Sequence, residues 1–359
     1  MFDLSFYQGK RVLVTGHTGF KGSYLCELLL RNGAELTGYA LEPPTKPSLY
    51  KLCGLEERMN SVTGDIRDLS HLKQVFAETR PEIVIHMAAQ PIVRASYERP
   101  VETYETNVMG TVNVLECCHL TDSVRSVINV TTDKVYQNNE WERGYVETDI
   151  LNGYDPYSNS KSCSELVTQS YIQSFLRERG IAVSTCRAGN VIGGGDFAAD
   201  RIVPDCIRAM ERGEEIIIRN PGSIRPFQFV LEPLCVYLMI AKEQYNKPEL
   251  ASCYNVGPDD SDCYSAGKLA DLFCETWNRI PGRSEKSSVQ AAWKNVSDHG
   301  PHEAGFLKLD CSKLKKTFGW KPCWDLKRTM EEIIVFSKGF LDGEPVPALM
   351  SRSIEQFSK

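Results

Sequence analysis

Five side chains in two short stretches could carry out acid–base chemistry. They are Thr132, Asp133 and Lys134, directly after an apolar run, and Tyr157 and Lys161, four residues apart. A spacing of four residues brings two side chains to the same face of a helix. A phenol beside an ammonium can act as a base toward an alcohol, and a threonine hydroxyl can hold the alcohol oxygen by a hydrogen bond. The set therefore predicts the oxidation of an alcohol by hydride transfer.

Tyr157 needs help to act as a base at neutral pH. A free phenol titrates near ~10, so ionising it near neutrality requires about 3 pKa units, or ~4 kcal/mol, of differential stabilisation. We expect Lys161 and the positive charge of a nicotinamide ring to supply this stabilisation, since nearby cations favour the phenolate.

A glycine-rich segment near the N-terminus predicts a dinucleotide site. A short apolar strand runs into a G-x-x-G-x-x-G loop that opens a helical pattern, with the residues Gly16, His17, Thr18, Gly19, Phe20, Lys21 and Gly22. Glycines allow the backbone to turn tightly and approach a pyrophosphate, and the free N–H groups of the helix N-terminus bind phosphate oxygens. About twenty residues later only Glu42 could bind the ribose 2′-hydroxyl, and no arginine follows the strand directly, which favours NAD over NADP.

Two more predicted strand ends should border the same cofactor. Asp65 and Ile66 follow the third strand and could flank the adenine, whereas Ala88, Ala89 and Gln90 follow the fourth. The small alanine side chains would let a cofactor lie close to the backbone. Ligands of open α/β sheets bind at these carboxyl ends of the strands.

The elements that position these residues alternate between strand and helix through the first 190 or so residues. Predicted strands are 11–15, 35–40, 60–64, 82–87, 126–131 and 182–187, and predicted helices include 20–32, 101–120 and 157–179. The alternation predicts an α/β fold, a Rossmann-type doubly wound parallel sheet with a smaller, mostly C-terminal substrate-binding domain. We expect a cofactor domain at residues 1–188, a substrate domain mainly at 189–345 with segments returning to the first, and a peripheral C-terminal tail at 346–359.

Composition excludes several classes of protein. A formal net charge of −6 argues against a nucleic-acid binder, because no basic excess is present to neutralise phosphates. The N-terminus shows no signal-peptide pattern, and the longest clean apolar run, 234–241, is too short to cross a membrane. The 13 cysteines contain no C-x-x-C pair, which indicates free thiols and no metal site. We therefore expect a cytoplasmic protein.

Together, the glycine loop and the residues Thr132, Tyr157 and Lys161 resemble the extended short-chain dehydrogenase/reductase family in its nucleotide-sugar branch. The resemblance covers nearly the whole chain and includes the segments 107–111 and 187–193. It implies NAD as the cofactor, Asn107 beside the cofactor site, and a homodimer or higher homo-oligomer formed through helices 101–120 and 157–179.

Asp133 and Lys134 narrow the resemblance within that branch. A 4-epimerase needs only the threonine, tyrosine and lysine, whereas a 4,6-dehydratase also needs an acid for the C6 hydroxyl and a base for the C5 proton. Most such dehydratases have Asp-Glu after the threonine, and the Asp133-Lys134 pair instead resembles the subgroup that acts on CDP-glucose, as do the runs 153–161, 193–196, 220–226 and 302–310. The resemblance implies that Asp133 is the acid. It places Lys134 at the base position, where it could alternatively stabilise an enolate electrostatically.

The resemblance also implies the substrate contacts and the product. The substrate-binding residues would be Thr132, Asn190, Arg201, Arg219, Arg225, His302 and Glu303. Arg201 and Arg225 match the family's pyrophosphate-binding arginines, Arg219 lies in a candidate base pocket, and Asn190 matches an asparagine beside the sugar. The product would be CDP-4-dehydro-6-deoxy-D-glucose, a precursor of deoxysugars in surface polysaccharides such as O-antigen. The alternatives are a dehydratase or epimerase of a UDP-, dTDP- or GDP-linked sugar, and a non-catalytic NAD-binding protein.

Overall fold

Seven parallel strands form the central sheet of the computed structural model, which describes residues 3–296 and 305–359. The strands are β1 Arg11–Thr15, β2 Glu35–Ala40, β3 Asn60–Thr63, β4 Ile83–His86, β5 Ser126–Val130, β6 Ala182–Ala188, β7 Val191–Ile192, β8 Ile216–Ile218, β9 Ile224–Pro226, β10 Gln228–Phe229, β11 Cys253–Val256, β12 Cys263–Ser265 and β13 Trp293–Asn295. The sheet has the order β11-β6-β5-β4-β1-β2-β3. The part 3-2-1-4-5-6 is the order of a Rossmann fold, which confirms the predicted fold class.

Helices cover both faces of this sheet. They are α1 Phe20–Arg31, α2 Leu49–Leu52, α3 Leu69–Thr79, α4 Val93–Glu98, α5 Pro100–Tyr104, α6 Gly110–Leu120, α7 Pro156–Tyr171, α8 Ile202–Arg212, α9 Leu231–Asn246, α10 Ala266–Arg279, α11 Ser312–Phe318, α12 Leu326–Leu341 and α13 Val346–Phe357. Val12 and Val14 of β1 face the core beneath α1 and α9, whereas Leu13 between them faces the core beneath α3 and α6. This alternation follows from the two-residue period of a strand.

The predicted apolar run 234–241 lies in α9, which packs against β5 and β6 in the main core. None of the helices within residues 3–296 and 305–359 combines the length and the apolar character that a membrane span requires.

Two predicted helices contain π-helical turns that the apolar pattern did not indicate. The predicted helix 101–120 consists of α5, a π turn at Glu105–Met109, and α6, and a second π turn at Ile172–Leu176 follows α7. A π turn carries one extra residue per turn and shifts the face that the following side chains present. The first turn includes Asn107, whose buried amide joins the candidate site described below.

A second core lies beyond the carboxyl edge of the sheet. Side chains from α8, α10, α12 and β8 form a separate apolar cluster around Trp277 and Met330. Short strand pairs join this region: β7 with β10, β8 with β13, and β9 with β12. The chain then returns, because β11 pairs with β6 as the seventh strand of the main sheet.

The C-terminal segment differs from our expectation of a peripheral tail. It forms α13, whose side chains Val346, Leu349, Met350, Ile354 and Phe357 belong to the main core. Apolar residues recur along this segment at helical spacing, and burial of that face ties the helix to α2 and α12. The chain end is therefore part of the fold.

We predict that Leu349→Ala lowers the free energy of unfolding by about 2–5 kcal/mol, because it leaves a cavity at a position that is 1% exposed. Urea unfolding of the ligand-free protein measures the change. Leu41→Ala, which truncates a leucine that is 58% exposed, is the matched control and should change stability by less than about 0.5 kcal/mol. Equal effects of the two substitutions would show that α13 does not contribute to the core.

Candidate active site

The glycine loop lies where β1 passes into α1. Gly16 has a φ of +77°, and a Cβ there would lie 2.8 Å from the backbone nitrogen of Ala88. At Gly22 a Cβ would lie 2.3 Å from the carbonyl oxygen of Gly16. Gly19 precedes the helix and has no side chain to cap its first N–H groups. The loop thus leaves an open helix N-terminus, a site that fits the phosphates of a dinucleotide.

The other side chains of this loop point in different directions. The His17 ring packs on Gly38 and its Nε2 lies 2.9 Å from the Ser61 hydroxyl, so only the backbone of His17 borders the open loop. Burial lowers the pKa of His17 to about 4. The Thr18 hydroxyl donates to the carbonyl of Leu41, beyond the end of β2.

Phe20 and Lys21 extend from the loop toward the interior. The ring of Phe20 packs edge-on against Tyr24, with ring centroids 5.6 Å apart. Lys21 lines the large cavity described below. Burial lowers the pKa of Lys21 to about 7, and the cations of Arg201 and Lys161 act in the same direction. Lys21 therefore belongs both to the glycine loop and to the lining of the cavity that contains Tyr157 and Lys161.

The two residues that were predicted to flank the adenine, Asp65 and Ile66, contact other residues of the protein. Arg67 donates to the Asp65 carboxylate, with Nη2 2.6 Å from Oδ2, and these hydrogen bonds lower the pKa of Asp65. Ile66 is buried against Gly110. The exposed carboxylate of Glu42 accepts a long hydrogen bond of 3.4 Å from Thr63. Near the loop, Asp65 is thus bound by Arg67, and Ile66 packs against Gly110.

The segment after β4 is held by Asn107. The Asn107 Oδ1 accepts from the backbone nitrogen of Gln90 at 2.8 Å, and its Nδ2 donates to the Gln90 carbonyl at 3.1 Å and to the Ser160 hydroxyl at 2.9 Å. Ala88 lies against Gly16, and Ala89 lines the large cavity. Asn107 therefore connects the cofactor side of the sheet with α7.

One cavity of about 650 Å³ brings the five predicted catalytic residues together. Thr132, Asp133, Lys134, Tyr157 and Lys161 all line it. The first three follow the end of β5, and the other two lie on one face of α7, which is capped by a hydrogen bond from the Ser158 backbone to the Asp155 side chain. Two elements that are adjacent in space thus supply the whole set.

Burial shifts the pKa values of Tyr157 and Lys161 in opposite directions. Burial raises the pKa of Tyr157 to about 12, although a hydrogen bond with Thr132 acts in the opposite direction. Among charged groups, Asp133 and Arg201 have the largest effects on the Tyr157 pKa. Burial lowers the pKa of Lys161 to about 8, and its Nζ donates to the Val130 carbonyl at 3.1 Å. Desolvation thus has a larger effect on the pKa of each group than the nearby charges do.

Asp133 is held from two sides and is 1% exposed. Its Oδ1 accepts from the Thr132 hydroxyl at 3.0 Å, and its Oδ2 accepts from Nδ2 of Asn190 at 2.8 Å. Lys134 is half-buried and lines both the large cavity and a neighbouring cavity of about 400 Å³. A carboxyl group and an ammonium thus lie next to the threonine and tyrosine.

Basic residues also line the large cavity. The predicted substrate residues Asn190, Arg201, Arg219 and Arg225 all border it. Arg201 lies 3.7 Å from the Asp196 carboxylate, and Arg219 lies 3.3 Å from that of Asp200. The predicted residues His302 and Glu303 lie outside the described residues. Arg94, after β4, also lines the cavity and was missed by the sequence reasoning.

A buried ion pair below α7 was also missed. Glu165 Oε2 lies 2.9 Å from Nη2 of Arg187, and the Thr131 and Thr185 hydroxyls donate to the same carboxylate at 2.6 and 2.7 Å. Arg187 also donates to the Tyr136 hydroxyl at 2.8 Å. The available signal was the spacing, because Glu165 follows Lys161 by four residues, as Lys161 follows Tyr157.

Comparisons with known proteins agree with this geometry. A family model described as GDP-mannose 4,6 dehydratase matches residues 13–333. A CDP-glucose 4,6-dehydratase of Salmonella typhimurium is 46% identical over 363 aligned residues, which cover 99% of this chain and 98% of that protein. These two likenesses confirm the resemblance to nucleotide-sugar 4,6-dehydratases that the motifs indicated.

Solved structures share the fold at lower identity. A UDP-glucuronic acid 4-epimerase from Bacillus cereus, in complex with UDP-glucuronic acid and NAD, superposes with a TM-score of 0.77 at 22% identity and covers 92% of this chain and 99% of its own. A dTDP-glucose 4,6-dehydratase from Bacillus anthracis, in complex with NAD, gives a TM-score of 0.73 at 19% identity, covering 93% and 99%. At these identities the likeness concerns the fold alone.

We predict that Lys161→Met stabilises the ligand-free protein at pH 7 by about 1–3 kcal/mol while removing activity. The pKa of Lys161 is lowered from its ordinary value of 10.5 to about 8, so its burial cost is fully present below pH 8. That cost declines between pH 8 and 10.5, where the folded state loses the proton before the unfolded state does. The gain should therefore shrink at pH 10.

Urea unfolding at pH 7 and at pH 10 measures the difference between Lys161→Met and the unsubstituted protein. Lys327→Met, at an exposed position on α12, is the matched control and should change stability by less than about 0.5 kcal/mol at either pH. A destabilised Lys161→Met protein at pH 7 would contradict the assigned burial cost.

Proposed function

The chain belongs to the GDP-mannose 4,6 dehydratase family, and from that premise we propose that it is an NAD-dependent 4,6-dehydratase of CDP-glucose. The products are CDP-4-dehydro-6-deoxy-D-glucose and water. The observation that carries the proposal is the placement of Asp133 and Lys134 beside Thr132, Tyr157 and Lys161 in one cavity. The 46% identity to the Salmonella CDP-glucose 4,6-dehydratase over nearly the whole chain supports the choice of nucleotide.

The cofactor would occupy the glycine loop and the cleft beside β1 and β4. Gly16, Gly19 and Gly22 leave room for its pyrophosphate at the N-terminus of α1, and Ala88, Ala89, Gln90 and Asn107 border the path toward Tyr157. NAD, when bound, supplies a hydride acceptor for C4, a hydride donor for C6 and a positive charge beside the phenol. Since the same sugar would receive the hydride back, the reaction would consume no second redox substrate.

The residues at the end of β5 and on α7 divide the acid–base work. Thr132 holds the C4 oxygen, and Tyr157 accepts the proton of the C4 hydroxyl while Lys161 stabilises the phenolate. Asp133 gives a proton to the departing C6 hydroxyl. Lys134 acts at C5, either by accepting the proton or by stabilising the enolate charge.

The basic wall of the cavity would hold the rest of the nucleotide sugar. Arginines 201 and 225 suit the pyrophosphate, because a guanidinium donates to phosphate oxygens in pairs, and Arg219 borders the pocket for the base. Accordingly, residues 1–188 hold mainly NAD and residues 189–345 mainly the nucleotide sugar. The separate apolar cluster around Trp277 supports this division.

Two further features support the proposal of a homodimer and of a cytoplasmic location. Apolar side chains of Val101, Met109, Leu166 and Phe175 are 70%, 51%, 58% and 43% exposed on the neighbouring helices that begin with α5 and α7. We propose that they form the contact of a homodimer, since such exposed apolar groups typically mark a protein interface. The cysteines are all free, as is typical of a protein in the reducing cytoplasm. There the product would be used to make the deoxysugars of surface polysaccharides.

We predict that the protein, incubated with NAD and CDP-glucose, removes one water from the sugar without net formation of NADH. Mass spectrometry of the nucleotide sugar and the absorbance of reduced nicotinamide measure the two outcomes. UDP-glucose, dTDP-glucose and GDP-mannose are the comparison substrates. Dehydration of one of these, with CDP-glucose returned unchanged, would overturn the choice of substrate.

Two variants test the roles in the same assay. Tyr157→Phe should lose at least about 100-fold in kcat, the lower range for loss of a general base. For Lys134→Met in D2O, entry of deuterium at C5 at the unsubstituted rate would exclude Lys134 as the base and leave the electrostatic role. Normal turnover by Tyr157→Phe would contradict the assignment of the base.

We predict that Leu166→Glu weakens the dimer at least about 10-fold, because it places a charge in an apolar contact. Light scattering after size exclusion over a dilution series measures the mass. Leu41→Glu, at an equally exposed leucine away from these helices, is the matched control and should leave the mass unchanged. A monomer for the unsubstituted protein, or an unaffected Leu166→Glu dimer, would contradict the proposed interface.

A further inference from the structure

The carboxyl group of Asp133 has a hydrogen-bond donor on each of its two oxygens. The Thr132 hydroxyl donates to Oδ1 at 3.0 Å, and the side-chain amide of Asn190 donates to Oδ2 at 2.8 Å. Asp133 itself is 1% exposed, so these two donors and the cavity define its surroundings. A proton donor to the substrate needs one oxygen that faces the reacting group.

The backbone beside Asn190 is shaped around this carboxyl group. A Cβ at Gly189 would lie 2.0 Å from Oδ1 of Asp133, so only glycine fits there. Asn190 has a φ of +49°, in the left-handed region. That conformation costs a residue other than glycine about 1 kcal/mol, although asparagine tolerates it better than most. Such strain is typical of functional positions.

Gln228 of β10 holds the strained turn in place. Its Nε2 donates to the Gly189 carbonyl at 3.2 Å and to the Val256 carbonyl at 3.0 Å, and its backbone nitrogen donates to the Asn190 carbonyl at 3.2 Å. Gln228 is 4% exposed. The backbone from which the Asn190 side chain reaches Asp133 is thus held by hydrogen bonds within the protein.

We propose, on the basis of the function proposed above, that Asn190 is a positioning residue for Asp133 and that it selects the oxygen that carries the acid proton. An amide N–H can only donate, so it keeps Oδ2 as an acceptor and leaves the proton to Oδ1. The Thr132 hydroxyl donates to Oδ1 in this structure. When the Thr132 hydroxyl binds the C4 oxygen of the sugar, Oδ1 becomes free to face the C6 hydroxyl.

In the elimination, Oδ1 of Asp133 is the proton donor. The C5–H electron pair forms the new C5–C6 double bond, and the C5 proton passes to the general base of the site. The C6–O bond breaks with its electron pair on oxygen, and that oxygen takes the Oδ1 proton and leaves as water. Asp133 remains as a carboxylate that still accepts from Asn190. This role differs from a contact with the sugar or its phosphates, the role that the family resemblance implied for Asn190.

Asn190→Gly tests the proposal without disturbing the turn, because glycine adopts positive φ freely. We expect kcat for CDP-glucose to fall about 10- to 100-fold, part of the contribution of a general acid, with KM changed less than about 3-fold. Reduced nicotinamide should accumulate during turnover, because oxidation at C4 continues while the loss of water is slowed. Thermal unfolding should show that the variant is folded at the temperature of the assay.

CDP-6-deoxy-6-fluoroglucose separates positioning of the acid from binding of the substrate. Fluoride leaves with far less need of a proton, so Asn190→Gly should process this analogue within about 3-fold of the unsubstituted rate, as should Asp133→Asn, the reference for a missing acid. An equal loss with both substrates, a raised KM with unchanged kcat, or no loss at all would overturn the proposal. If the unsubstituted protein processes neither CDP sugar, the proposed function fails instead.

Discussion

The geometry of the active site depends on one buried ion pair, between Glu165 on α7 and Arg187 on β6. Each side chain is 4% exposed, and either charge alone in that position would be strongly unfavourable. Hydroxyl groups of Thr131 and Thr185 complete the hydrogen bonds of the carboxylate. Because Glu165 lies one helical turn beyond Lys161, the pair holds the face of α7 that carries the catalytic side chains against the ends of β5 and β6. The relation between α7 and the end of β5 is therefore set by the protein interior.

Burial dominates the electrostatics of the large cavity. Burial lowers the pKa values of Lys21 and Lys161 and raises that of Tyr157, so each group is displaced toward its neutral form. The cations are close enough to affect one another, as the effect of Arg201 on Lys21 shows. Phosphate-bearing ligands would bring the opposite charge into this space and favour the protonated lysines. Burial would also strengthen those interactions, because opposite charges attract each other more strongly where water is excluded.

The proposed reaction takes its groups from separate parts of the chain. The oxidation at C4 relies on Thr132, Tyr157 and Lys161, which the sheet and α7 position. The elimination adds Asp133, whose carboxyl is held by the turn after β6 and, through Gln228, by β10. That turn lies between the main sheet and the second core, so the acid is placed at the junction where the nucleotide sugar would enter.

Local patterns in the sequence were sufficient for the glycine loop, the alternation of strands and helices, and the Tyr157–Lys161 pair. Each depends on residues that are adjacent in one element, where backbone geometry alone brings the groups together. The seventh strand and the buried α13 were not apparent, because their places depend on where the chain returns to the main core. The burial that raises the pKa of Tyr157 was not apparent either, because it depends on the whole fold.

The sequence by itself therefore determined the kind of chemistry, through the types and spacing of Thr132, Asp133, Tyr157 and Lys161. Only the tertiary structure decided how these groups are held. Asp133 and Asn190 are 57 residues apart in the chain, and their hydrogen bond exists because parallel pairing of β5 with β6 brings the two strand ends to the same edge of the sheet. No local pattern in the sequence predicts this hydrogen bond, because it follows from the strand order and from the burial of both strands in a shared core.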